Sequence, residues 1–180
     1  MKKHNSFMMM VAISLVLMSS FVSAGTTVIG FEMGNATRAS INDKFEDLGI
    51  NATKGPEFAF TTGDSIIIKG DPFGISGLTE TCLAFDENDN LGFVGMLMDP
   101  GRFDDMDKIL EGKYSFLERH AREDGSRCSH YESEDTLIDL IYDAGYPLQV
   151  IYIRKDVREN SEKMAQKKAE EAAKKEAENF

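Results

Sequence analysis

The stretch Phe85-Asp86-Glu87-Asn88-Asp89-Asn90-Leu91 sets Asp86, Asn88 and Asn90 at alternate positions, the spacing of the first three oxygen ligands in a helix-loop-helix calcium site. Such a loop also needs glycine at its sixth position and a bidentate glutamate at its twelfth. Leu91 and Leu97 stand there instead. Asp and Asn also make tight turns, because their side chains bond the backbone two residues on. Thr79, Thr81, Leu83 and Phe85 alternate before the loop, and Leu91, Phe93 and Leu97 after it, so the expectation is a hairpin turn between two strands. Asp86, Asn88 and Asn90 remain as a weak calcium candidate only.

A second group lies in His-Ala-Arg-Glu-Asp-Gly-Ser-Arg-Cys-Ser-His-Tyr, where His120, Cys128 and His130 are soft or borderline ligands. Thiolate and imidazole suit zinc or copper, and Met96 and Met98 add thioethers. Only Cys128 and His130 are close in sequence, and on a strand they share one face. A disulfide through Cys128 would consume the thiolate, so neither a metal nor another cofactor is expected.

That disulfide follows from the N-terminus. Lys2, Lys3 and His4 precede an apolar run from Phe7 to Leu17, and Val22-Ser23-Ala24 is a small-residue cleavage site. Residues 1–24 therefore read as a secretory signal peptide, leaving a soluble chain with no membrane insertion. In an oxidising compartment the chain's two cysteines, Cys82 and Cys128, are expected to pair. Closing that loop would contribute about 4 kcal/mol. Their wide separation speaks against a redox pair, which is usually Cys-x-x-Cys.

Enzyme signatures are scarce. Gly74-Ile75-Ser76-Gly77 lacks the spacing of a nucleophile elbow, and no phosphate-binding loop or His-Glu-x-x-His occurs. Asp104 and Asp105 fall early in an expected helix, where carboxylates complement the helix dipole. No catalytic residue is assigned, and whether the chain is an enzyme stays open, with the balance against it. Asn35 and Asn51 head Asn-Ala-Thr sequons, but both sit where helix caps and turns are expected.

The elements that must position these residues alternate twice. A helix is expected from Asn35 or Thr37 to Leu48, with Ile41, Phe45 and Leu48 on one stripe and Gly49 as its stop. Strands are expected at 57–61, 65–69, 78–86 and 91–98. A second helix, starting near Asp99-Pro100, places Phe103, Met106, Leu110, Tyr114 and Leu117 on one face. Strands at 127–134, 136–143 and 147–155 follow. The predicted class is α+β: duplicated helix-plus-antiparallel-meander units, two helices packed on a sheet. Residues 25–155 form one domain, and 156–180 a charged Ala/Glu/Lys-rich helical tail. The tail's Glu170–Lys174 and Glu171–Lys175 pairs support an exposed helix, and its composition resembles the long helical regions of envelope-spanning proteins.

Charge narrows the partners. Residues 25–155 hold 24 acidic and 12 basic side chains, a field that repels nucleic acid and anionic lipid and attracts cationic proteins. The order of elements around Cys82-Leu-Ala-Phe-Asp-Glu-Asn-Asp-Asn-Leu-Gly-Phe-Val94 resembles the envelope modules of the SmpA/OmlA type and the tandem modules of β-lactamase inhibitory protein. That resemblance spans about residues 30–155 and implies protein binding or inhibition rather than catalysis. The chain lacks the lipid-anchoring cysteine usual in the first family. The leading expectation is a periplasmic or secreted bacterial non-catalytic domain that binds a cationic envelope or secreted protein through its acidic surface, with an inhibitor or immunity factor as the specific version. The alternatives are a small periplasmic enzyme with a carboxylate or His site, and a structural envelope component docking through its tail.

Overall fold

A computed structural model describes residues 25–58, 61 and 63–177. The expected signal peptide lies outside the described residues. The chain runs β1 (Thr27–Val28), β2 (Phe31–Glu32), α1 (Arg38–Asp47), β3 (Ala52–Glu57), β4 (Asp64–Lys69), β5 (Leu78–Phe85) and β6 (Leu91–Met98). A 3-10 turn (Pro100–Arg102) leads into α2 (Phe103–Glu111), then β7 (Ser115–Ala121), β8 (Arg127–Glu132), β9 (Thr136–Tyr142), β10 (Leu148–Arg154) and α3 (Lys155–Ala177).

The architecture is α+β, as the alternation of periods predicts. β1 and β2 form a small hairpin, and the other eight strands make one sheet in the order β3-β4-β5-β6-β10-β9-β8-β7. Every pairing in it is antiparallel. Each half is a helix followed by a four-stranded meander. The halves meet at their last strands, with Leu148 opposite Met98 at one end of the seam and Ile153 opposite Phe93 at the other.

Period-two alternation turns alternate side chains of each strand to one face. Ile66, Ile68, Leu83, Val94, Met96, Ile138, Leu140 and Val150 are buried there in a single cluster with Ile41 and Phe45 of α1 and Phe103, Met106 and Leu110 of α2. Both helices therefore cover the same face. α1 begins where expected: the Thr37 hydroxyl accepts from the Ser40 N–H, Ser40 Oγ accepts from the Thr37 N–H at 3.0 Å, and Gly49 follows with φ +65°.

Two expectations are corrected. The second helix stops at Glu111 rather than continuing through Tyr114 and Leu117, and Leu117 lies in β7, an edge strand exposed along its whole length. The strand expected at 57–61 sits earlier, as β3 at Ala52–Glu57; Ala59 and Phe60 lie outside the described residues.

Under α2 the core contains a polar network. Tyr131, fully buried, donates its hydroxyl proton to the Asp107 carboxylate, which also pairs with Arg119 at 2.5 Å. Burial alone pushes the Asp107 carboxyl up, but hydrogen bonds from Tyr131 and Ser129 and the Arg119 guanidinium outweigh it and hold the group below the ordinary carboxylate range. A depressed native pKa means that the stabilisation is complete at neutral pH and is lost as the pH falls below about 4, through the native value. Tyr131→Phe should cost about 2 kcal/mol at neutral pH, read as a lower urea midpoint with an unchanged slope. Asp107→Asn should flatten the acid limb of stability against pH below about 4.

Candidate interaction face

The opposite face of the sheet carries the other half of each alternation. Ile67, Cys82, Phe93, Gly95, Leu97, Ile151, Gln149, Asp139, Ile141, Cys128 and His130 are all half-buried, in contrast to the fully buried row beneath the helices. Register places all of them but Phe93 in two rows across the strands. Ile67, Cys82, Gly95, Ile151, Asp139, His130 and Glu118 form one; Lys69, Glu80, Leu97, Gln149, Ile141, Cys128 and His120 form the next.

A shallow apolar groove of about 240 Å³ opens in the first half of this face, lined by Pro56, Phe58, Ile67, Cys82, Phe93, Leu97 and Ile151. Two glycines shape it. A Cβ on Gly55 would meet Ile67 Cγ1 at 2.6 Å, and a Cβ on Gly95 would meet the Phe93 ring at 3.0 Å. The missing side chains let β3 approach β4 and let Phe93 lie across the sheet, where its ring centroid sits 5.6 Å from that of Phe58. Burial pushes the Cys82 thiol pKa up, against a hydrogen bond with Ser65 and with Glu80 reinforcing it. That makes Cys82 a neutral part of the groove wall rather than a nucleophile.

The second half of the face is polar. His130 Nδ1 lies 2.7 Å from Asp139 Oδ1, and Asp139 Oδ2 is 3.4 Å from Arg158 at the start of α3. His120 Nε2 sits 3.0 Å from Glu118 Oε2, and the two imidazole centroids are 6.3 Å apart. A cavity of about 620 Å³ is lined by both histidines together with Cys128, Arg122, Arg127, Ile141 and Asp143.

The expected Cys82–Cys128 bridge is not formed, and both cysteines are free. β5 and β8 are four strand steps apart in the sheet, which at about 4.8 Å per step separates the residues by roughly 19 Å. A disulfide requires Cα atoms within about 7 Å. Met96 and Met98, proposed partners for a soft metal, are buried under the helices at 3% and 1% exposure, away from His120, Cys128 and His130.

Asp86, Asn88 and Asn90 form the β5–β6 turn. Asp86 Oδ1 accepts from the Asn88 and Asn90 N–H groups at 2.9 and 3.0 Å, while Oδ2 accepts from Arg154 at 2.6 Å. Asp89 takes a left-handed φ of 63°, and its carboxylate binds Arg38 at 2.8 Å. This carboxylate cluster is committed to the turn and to two guanidiniums. Asp104 and Asp105 bind Arg127 and Arg102 on the surface, at 2.8 and 3.4 Å.

The apolar members of the open face and the carboxylate behind His130 were not singled out from the sequence. Phe93 and Leu97, and likewise Gln149 and Ile151, carry the alternation that could have identified them. No helix among the described residues is long and apolar enough to cross a membrane. No family model, curated protein or solved structure matches the chain.

The turn chemistry yields a direct expectation. Asp86→Ala strips two backbone donors and Arg154 of their acceptor and should cost about 2–3 kcal/mol, whereas millimolar calcium should leave the wild-type melting temperature unchanged. Both are read by thermal and urea denaturation.

Proposed function

We propose that this chain is an exported, non-catalytic protein-binding domain that takes a cationic partner on the open face of its sheet. The observation that carries this reading is the one-sided cover: both helices pack on one face, leaving Ile67, Phe93, Leu97, Ile141 and Ile151 half-buried on the other. A contiguous apolar surface rimmed by polar groups is the kind of surface that proteins use for association.

Electrostatics supports the sign of the partner. Within residues 25–155 acids outnumber bases two to one, and Arg38, Lys54, Lys69, Arg102, Arg119, Arg127, Arg154 and Lys155 are already engaged with carboxylates. The remaining negative potential would steer a basic partner toward the surface and make association salt-dependent. On the open face itself Glu80, Glu118 and Glu132 pair with Lys69, His120 and Lys155, so the steering field comes from the net excess of acids over the whole domain rather than from these three groups. The signal-like N-terminus supports encounter outside the cytoplasm.

The test compares capture from an envelope extract by wild-type protein, Leu97→Arg, Ile151→Arg and, as a control on the outer surface of α2, Ile109→Arg. Ile109 is 54% exposed, so its replacement should not disturb folding. The reading predicts one salt-sensitive partner, retained by the Ile109 variant and lost at least tenfold by the two sheet-face variants. Equal capture by all four folded proteins would contradict it.

A further inference from the structure

The half of the open face away from the apolar groove gathers ligating side chains that belong to no core and no turn. We propose that His120, Cys128 and His130 form a binding site for a borderline-soft divalent cation of the zinc type. The placement is set by strand register. His120 is the direct cross-strand partner of Cys128, and such pairs have Cβ atoms about 4.5–5.5 Å apart. His130 lies two residues beyond Cys128 on the same strand and so on the same face.

The geometry of the imidazoles agrees. Two histidines on one tetrahedral zinc, with Zn–N bonds of about 2.0–2.1 Å, hold their ring centroids about 5 Å apart. The observed separation is 6.3 Å, so a side-chain rotation closes the difference without moving the strands. His130 is also oriented as a ligand. Its Nδ1 is held 2.7 Å from the Asp139 carboxylate, itself braced by Arg158 at 3.4 Å, which leaves Nε2 for a metal. A carboxylate behind a ligating histidine fixes its tautomer and raises its basicity.

In the present side-chain conformations no three His, Cys, Asp or Glu groups among the described residues converge on one point. The group that must move is His120, whose ring leans on Glu118, each side chain 60% exposed. An exposed pair of this kind contributes little and is readily exchanged. The cavity beside these residues has about 620 Å³, room for the ion and a water as fourth ligand. Cys128 is available because the sheet order keeps it from Cys82, and ligation releases its thiol proton to solvent.

Cobalt(II) is the probe, added to the reduced full chain. The site predicts thiolate-to-cobalt charge-transfer absorption in the near ultraviolet that saturates at one equivalent, is bleached by an equivalent of zinc, is absent from Cys128→Ser and is unchanged in Cys82→Ser. Should Cys128→Ser fail to fold by circular dichroism, the exposed His120→Ala takes its place, with an expected loss in cobalt affinity of tenfold or more. The proposal is overturned if folded wild-type protein shows no charge-transfer band, if the band survives in folded Cys128→Ser, or if His120→Ala binds cobalt as tightly as wild type.

Discussion

The pairing of β6 with β10 is the contact on which the rest of the molecule depends. Each strand ends one half of the chain, and each is apolar on both faces, so neither could stand as a free edge without inviting association with other chains. Joined antiparallel from Met98–Leu148 to Phe93–Ile153, they merge two four-stranded meanders into one sheet. Because each meander carries its helix on the same side, the merger also decides where the helices lie. One face becomes the core, closed by Ile41, Phe45, Phe103, Met106 and Leu110. The other is covered only at its Phe93 end, where Ala84 and Ile153 are buried and Arg158 of α3 reaches Asp139, and is otherwise open.

The same seam is locked at its end by charge. Arg154, the last residue of β10, reaches Asp86 in the turn that precedes β6 and also pairs with Asp156. One guanidinium thus ties the second half to the first and to the start of α3. The outer edges are managed differently. β3 ends in Lys54-Gly55-Pro56-Glu57 with a register shift against β4, and proline and lysine discourage further strand addition there. β7 carries a register shift of its own between Phe116 and Glu118.

Where alternation is strong the elements could be read from the sequence. The strands from Leu91 to Met98 and from Thr136 to Tyr142, and the cap at Thr37, lie within a residue or so of expectation. β7 was hidden because Tyr114 and Leu117 continue the helical spacing of Phe103, Met106 and Leu110, and because an exposed edge strand has no buried face to betray it. β3 was displaced because its Gly55 and Pro56 are residues that strands disfavour. The cysteine pairing failed for a different reason: whether two distant cysteines meet depends on strand order, and the seam sets four strand steps between them. The Asp139 carboxylate behind His130 was illegible on the same ground, since only the β8–β9 register brings them together.

The two native cysteines offer a direct ruler for the sheet. Nitroxide labels on Cys82 and Cys128, with their separation measured by pulsed electron–electron double resonance, should give one main distance of about 20–25 Å, the roughly 19 Å of four strand steps plus the label arms. That result would establish β6 against β10 as the join between the halves. A protein that resists labelling because the thiols are already bonded within one chain, or a label separation below about 10 Å, would contradict the strand order and with it the open face.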